Sequence, residues 1–564
     1  MTEPLMPDLT DGATPSVRRR RSRRPRSDAQ TPPADPRGPR VAAALLAALV
    51  VIVLIGLLLP APSTSGGGTI ATDPVDSSTA VCPEPGSIDG ALTTSAMTVV
   101  PGLPGQDRDG AASVSYLRGA DDPDLVDPQA PDVEDPAQAL SQPGDSAEVL
   151  ADSQRLPPLE IRTTGSLGPG LVAAQVTRDS FNERRGLAST ACLGPDTSWW
   201  FVGGGSVAGR DTRLVLVNPE SSPAEIDVVL SGPDGEITTP SLRGVVVEAR
   251  GRVVVSLTRI APRLPAVAWH VVARSGRVVA AVSDIEIEGF VPRGADWIPP
   301  SADPATRVLI PGVIPGEGGR QLLVYAPGDI DATVKVRLIT EGGAYVPAAL
   351  SEVDVAAGTV TAVDLDGALE GQAATVDLVS DVPIVAGIRQ RHPAIDARTG
   401  ALEETSFTTG AVAITDVAAA AGLPAEKITA VTLWITAPGA LQEIKAHSDG
   451  MAMGDDTSVA ADDSEVTATI TVLPFAAEST MAPPAPITVT IPRDRLVTVE
   501  IPRPRGADWY TAVVQPQGGA VVVAHRSVRR NPDGSLVTGY PWRPLRTTVQ
   551  VPLAYAAAAD LLPQ

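Results

Sequence analysis

From residue 213 the chain reads as short runs in which apolar side chains alternate with polar ones or fill a few consecutive positions, each run closed by Gly, Pro or Asp. A period of two in runs this short predicts β-strands rather than helices. Six such runs, RLVLVN, EIDVVL, GVVVEA, RVVVSL, VAWHVVAR and RVVAAVSD, lie between 213 and 285. The second is followed by SGPDGE, and only Arg250-Gly251 separates the third from the fourth, so hairpins are expected there. The same order returns between 321 and 390 as QLLVYAP, TVKVRLIT, EVDVAAG, TVTAVDL, ATVDLVS and PIVAGIRQ.

Landmarks fix the period of this internal repeat. Pro219, which ends the first strand, recurs as Pro327 and Pro438, at steps of 108 and 111 residues. A third copy opens with AVTLWITAP at 430–438 and ends with PITVTIP, RLVTVEI, TAVVQPQ and AVVVAHRS, and an extra hairpin-like stretch around 446–484, including EVTATITVLP, enlarges its middle. The closing phrase recurs as GRVVAAV, VPIVAGI and GAVVVAH, and GADW occurs twice, from Gly294 and from Gly506. A degenerate earlier copy is expected, with PGLVAAQV at 169–176 as its closing strand, LEIRTT as the partner, and the acidic, Pro-rich 121–138 as a solvated loop.

Units of about a hundred residues with six or seven short strands predict a mainly β chain of tandem immunoglobulin-like sandwiches. A propeller is disfavoured, because a blade repeat of about 40–50 residues is less than half this period. The expected order is a cytoplasmic tail 1–40, a transmembrane helix 41–59, a flexible linker 60–80, a degenerate first β unit 81–198, sandwich units 199–300 and 301–412, and an enlarged unit 413–564.

The N-terminal segments rest on charge. Residues 1–40 carry +4 while the whole chain carries −22. Between that Arg-rich tail and the acidic remainder lies Val41–Leu59, 19 residues without a charge, long enough to cross a hydrocarbon core of about 30 Å. Arginines before the helix keep the N-terminus in the cytoplasm and export the rest. Export permits the two cysteines of the chain, Cys82 and Cys192, to form one disulfide bracketing the first unit.

No motif reaches a reaction. GGGSVA at 203–208 fits the dinucleotide fingerprint, but a strand ended by Pro219 follows where a helix is required. A nucleophile elbow at Ser206 fails because Ala208 stands where Gly is needed. His270, His392, His447 and His525 are scattered, and Asp455-Asp456 and Asp462-Asp463 lack calcium-loop spacing. No catalytic, cofactor or metal residue is assigned, and so acidic a chain is a poor partner for nucleic acid.

Trp199 and Trp200 stand out in a chain with only 3% aromatic residues. Extended, they point to opposite faces, so one enters a core and the other covers a domain boundary or meets a partner. They are the candidate interaction residues. The segment 199–219, WWFVGGGSVAGRDTRLVLVNP, resembles a family of anchored or secreted envelope proteins of high-GC Gram-positive bacteria, catalogued as a domain of unknown function. Its matching residues are Trp199, Trp200, Phe201, Val202, Gly203 and Gly204, then Leu214, Val215, Leu216, Asn218 and Pro219. The resemblance implies an envelope-associated ectodomain and no particular activity. The expected function is a membrane-anchored, extracytoplasmic binding or scaffolding protein, not an enzyme, with another envelope protein or a glycan as partner. The competing expectation is an envelope-polymer-processing enzyme with its site at a domain junction.

Overall fold

The computed structural model describes residues 71–84, 91–118, 139–151, 156–179, 185–392, 403–439, 465–477, 481–531 and 534–551. The expected cytoplasmic tail, the membrane helix Val41–Leu59, the acidic loop 121–138, His447 and both Asp pairs lie outside these residues. Among the described residues the chain is mainly β, and no helix is long and apolar enough to cross a membrane.

The repeat beginning at Trp199 shows how the pattern folds. One sheet runs Ser198–Val202, Ala268–Ser275, Ala224–Gly232, with Gly235–Ile237 and Val245–Val247 on its outer edge; the other runs Val291–Ile298, Val279–Glu288, Arg210–Val217, Arg252–Ser256. All pairings are antiparallel. Alternation in Ala224–Gly232 sends Ile226, Val228 and Leu230 inward, where they meet Leu214 and Leu216 of the facing sheet and Trp269. Each such aliphatic side chain contributes roughly 1.5–3 kcal/mol on burial. The strand Arg210–Val217 stops because the Asn218 amide donates to the Ser222 and Val247 carbonyls and accepts from the Glu220 N–H, and Pro219 cannot continue the ladder.

The other three modules repeat this pairing. In the third, one 19-residue strand, Ala374–His392, serves both sheets: its first half pairs with Ala305–Val313 and Ala332–Thr340, its second with Arg320–Tyr325 and Glu404–Thr409. In the fourth, Ala418–Pro424, Trp509–Gln517, Glu465–Phe475 and Ile487–Pro492 face Leu496–Glu500, Thr429–Thr436, Val522–Asn531 and Gly534–Thr538. EVTATITVLP is therefore not an added hairpin. It occupies the place of Ala224–Gly232, paired to the strand equivalent to Ala268–Ser275.

In the first module Ser77–Cys82, Leu159–Thr164 and Ala111–Tyr116 face Ser146–Ala151, Leu92–Val99, Leu171–Asp179 and Gly186–Ala191. LEIRTT and the closing strand thus lie in opposite sheets rather than pairing. The expected linker 60–80 is also corrected in part. Ala71–Pro74 and Ser77–Cys82 are strands, each fully paired.

The strand order differs from that of an immunoglobulin domain. Counting seven main strands per module, one sheet holds 1-5-3 and the other 4-2-6-7, whereas the immunoglobulin arrangement sets 1-2-5-4 against 3-6-7. Alternation and turn spacing specify strands, but they do not name a strand's neighbours.

Nor are the modules beads on a string. Val81 and Leu117 of the first pack on Val215, Val217 and Val279 of the second. Trp200 and Val202 of the second pack on Leu323, Tyr325 and Val385 of the third. Thr375 of the third meets Thr436 of the fourth at 2.8 Å, and Thr511 of the fourth meets Thr98 of the first at 2.7 Å. Ala71–Pro74 then pairs with Thr548–Val551 and ties the two ends of the circuit. Eight sheets follow one another in a closed ring, the cyclic order of propeller blades, although here each repeat crosses between two sheets. The period of 108–111 residues covers two of them, which is why its length argued against a ring.

Candidate functional site

Ring closure brings the last strand of every module into one buried centre: Gly186–Ala191, Val291–Ile298, Glu404–Thr409 and Gly534–Thr538. Such edges are left unpaired within their own sheets, and here each is covered by its counterparts. Polar side chains link them. Asp296 Oδ1 accepts from the Ser189 N–H at 3.1 Å, the Trp297 N–H at 2.9 Å and the Thr538 hydroxyl at 2.9 Å, and Ser189 and Thr538 share a hydroxyl contact of 2.8 Å. Glu404 accepts from the Leu187 N–H at 3.3 Å and lies 3.9 Å from Arg185. Arg526 donates to the carbonyls of Gly312, Phe407 and Gly539. Glu286 is clamped by Arg389 and Arg391.

Burial dominates the protonation of this centre. It pushes Asp296 far above the usual carboxylate range, against the hydrogen bonds from Thr538, Trp297 and Ser189 and the charge of Arg526. It does the same to Glu404, against Arg185 and the Leu187 N–H. Both carboxyls can then donate as well as accept hydrogen bonds.

Beside Asp296 lies a cavity of about 70 Å³ between the first and second modules, lined among others by Gln175, Asp179, Arg213, Ser283 and Asp284. Asp284 is occupied, held by Arg210 at 3.0 Å and by the Thr212 hydroxyl at 2.5 Å. Asp296 Oδ2 is buried without a hydrogen-bond partner among the described residues. The space suits a few water molecules, each needing about 10–15 Å³.

The tryptophans lie elsewhere, and both are buried, at 5% and 8% exposure for Trp199 and Trp200. Trp199 enters the core of its own module and donates from Nε1 to the Val278 carbonyl at 2.9 Å. Trp200 points the opposite way, stacks on His270 at 3.5 Å between centroids, and packs against Tyr325 of the next module. The opposite-face expectation describes this geometry, but the partner that Trp200 meets belongs to the same chain. As an exposed docking patch the pair is corrected, since neither ring is free to meet a second molecule.

Cys82 and Cys192 form a disulfide across 110 residues of sequence. The glycine run after the tryptophans serves the backbone: Gly204 has φ +88°, and a Cβ there would lie 2.6 Å from Thr212 Cγ2. Ser206 gives its hydroxyl to the Ala261 carbonyl rather than to an acid or base. Burial lowers His392 and His525 to about 3 and His270 to about 4. His392 faces the Ser406 hydroxyl at 3.0 Å, and His525 accepts from Trp542 Nε1 at 3.0 Å, so these imidazoles fix packing. Sequence reasoning passed over Asp296 although it stands in the repeated GADW phrase. The phrase gave no role because its second copy, Asp508, is exposed and merely caps the Ala477 N–H.

One family model, described as a family of unknown function (DUF5719), matches residues 141–474. No curated protein matches the chain.

Proposed function

We propose, for a chain that belongs to the DUF5719 family of unknown function, that it is a binding or scaffolding protein of the cell envelope. In this reading Val41–Leu59 anchors it in the membrane with the Arg-rich tail inside, and the ring stands outside. A partner, either an envelope protein or a glycan, is bound without turnover. The observation that carries the reading is the pairing of Ala71–Pro74 with Thr548–Val551. It locks four mutually packed modules and brings the entry of the ring beside its exit. Such a body presents loops and clefts with little ordering cost on binding. The test is crosslinking of the full-length chain in living cells, followed by identification of what is captured. A reproducible envelope partner supports the reading; none, under conditions that preserve known envelope complexes, removes it.

A second reading is favoured by one observation, the buried and unpartnered Asp296 Oδ2 beside a cavity at a module junction. A carboxyl held protonated there has the character of a general acid. Turnover of an envelope glycan or peptide by the purified chain, abolished by Asp296→Asn in a folded variant, would place the protein among the enzymes.

A further inference from the structure

A second cleft, of about 390 Å³, opens in the fourth module and is lined from both of its sheets; it is far larger than the cavity beside Asp296. Its walls include Lys427, Arg503 and Arg530, three cations in a chain whose net charge is −22. The neighbouring Arg178 and Arg529 both pair with Glu426, at 2.9 and 2.8 Å. Lys427 and Arg530 are exposed and have no ion pair among the described residues. The Arg530 N–H donates to the Ile428 carbonyl at 2.9 Å, which sets the two cationic segments side by side. Arg503 donates to the Ala425 carbonyl at 3.4 Å, anchoring the third cation to the same wall.

Two further groups point to a ligand with hydroxyls as well as charge. Tyr510 is 1% exposed, lines the cleft, and its phenol has no hydrogen-bond partner among the described residues. Burial, then the charge of Glu500, raises its pKa, so the phenol remains a donor. Glu500, also on the wall, is an acceptor that suits sugar hydroxyls and would repel a bare anion.

We propose that this cleft binds an acidic sugar unit, with its carboxylate or phosphate held by Lys427, Arg503 and Arg530 and its hydroxyls by Glu500 and Tyr510. The proposal rests on the binding reading above and names a ligand class for it. Convergent guanidinium and ammonium groups favour oxyanions, and charge-assisted hydrogen bonds to them are the stronger kind.

The test is calorimetric titration of the full-length chain in detergent with glucose 1-phosphate, glucuronate and glucose. At least one of the two acids is expected to bind and glucose is not; which acid binds identifies the source of the oxyanion. The Lys427→Gln, Arg530→Gln double variant, altered only at exposed positions, should bind about tenfold more weakly at unchanged melting temperature, and added salt should weaken the unaltered chain. Failure of both acids to bind at tens of millimolar, equal binding of glucose, or a double variant that binds like the unaltered chain overturns the proposal. Any of these alongside a captured envelope partner removes the ligand class and leaves the binding reading, whereas turnover of either acid removes that reading itself.

Discussion

The hydroxyl of Thr98 in the first module lies 2.7 Å from that of Thr511 in the fourth, across 413 residues of chain. Thr375 and Thr436 make the equivalent contact between the third and fourth modules at 2.8 Å. Both pairs are buried where the outer face of one module meets the next, so neither hydroxyl has water as a substitute. Thr98 Oγ1 also meets Ser146 Oγ at 2.8 Å, so Thr511→Val removes one bond without orphaning the hydroxyl and should lower stability by about 0.5–1.5 kcal/mol. A double-mutant cycle with Thr98→Val in denaturant should show losses that are less than additive, and strictly additive losses would contradict the contact.

The Cys82–Cys192 disulfide closes a loop of 110 residues. By the chain-entropy model such a loop contributes on the order of 4–5 kcal/mol. Reduction, or the double Ala variant, should lower the denaturation midpoint, and thiol titration of the denatured, unreduced protein should find no free cysteine. Two free thiols there would contradict the bond.

Gly204 combines a left-handed backbone with close approach to Thr212, whose hydroxyl also accepts from the Gly205 N–H at 2.7 Å. Gly204→Ala should therefore destabilise by about 1–3 kcal/mol. An unchanged melting temperature would show that the turn relaxes freely.

His392 and His525 give the stability an acid limb. Burial, then nearby Arg526 and, for His392, Arg320, holds them near 3 when folded; unfolded, they protonate at about 6.5. Between those values the unfolded chain binds more protons, so their contribution is complete above about pH 6.5 and is lost as pH falls toward 3. Asp296 and Glu404 oppose this, because their raised values let the folded chain keep protons that the unfolded chain releases as pH rises. His392→Gln, which can still reach Ser406, should flatten the fall in melting temperature between about pH 6.5 and 4. Parallel curves for variant and parent would exclude His392 as a cause.

Strands and their repetition were legible because alternation survives at each copy: Ile226, Val228 and Leu230 have counterparts in Val334, Val336 and Leu338. Sheet partnership was not, since the same alternation suits several neighbours. The ring was hidden for a related reason. Val217, Tyr325, Thr436 and Thr98 occupy comparable positions facing the preceding module, yet an aliphatic residue, an aromatic and two threonines form no common pattern in the sequence. The Trp pair was legible as two opposed faces but not as an internal joint, because a buried aromatic facing another module reads like one facing a partner. In the second cleft, Lys427 and Arg530 are separated by about a hundred residues, and only the fold brings them together.

Closure of residues 71–551 into one ring underlies every contact between modules. Small-angle scattering of that segment measures it directly. A compact body of this length has a radius of gyration of about 23 Å, and that is the predicted value. Four linearly strung modules would give roughly 35 Å, and a value of that size would contradict the closure.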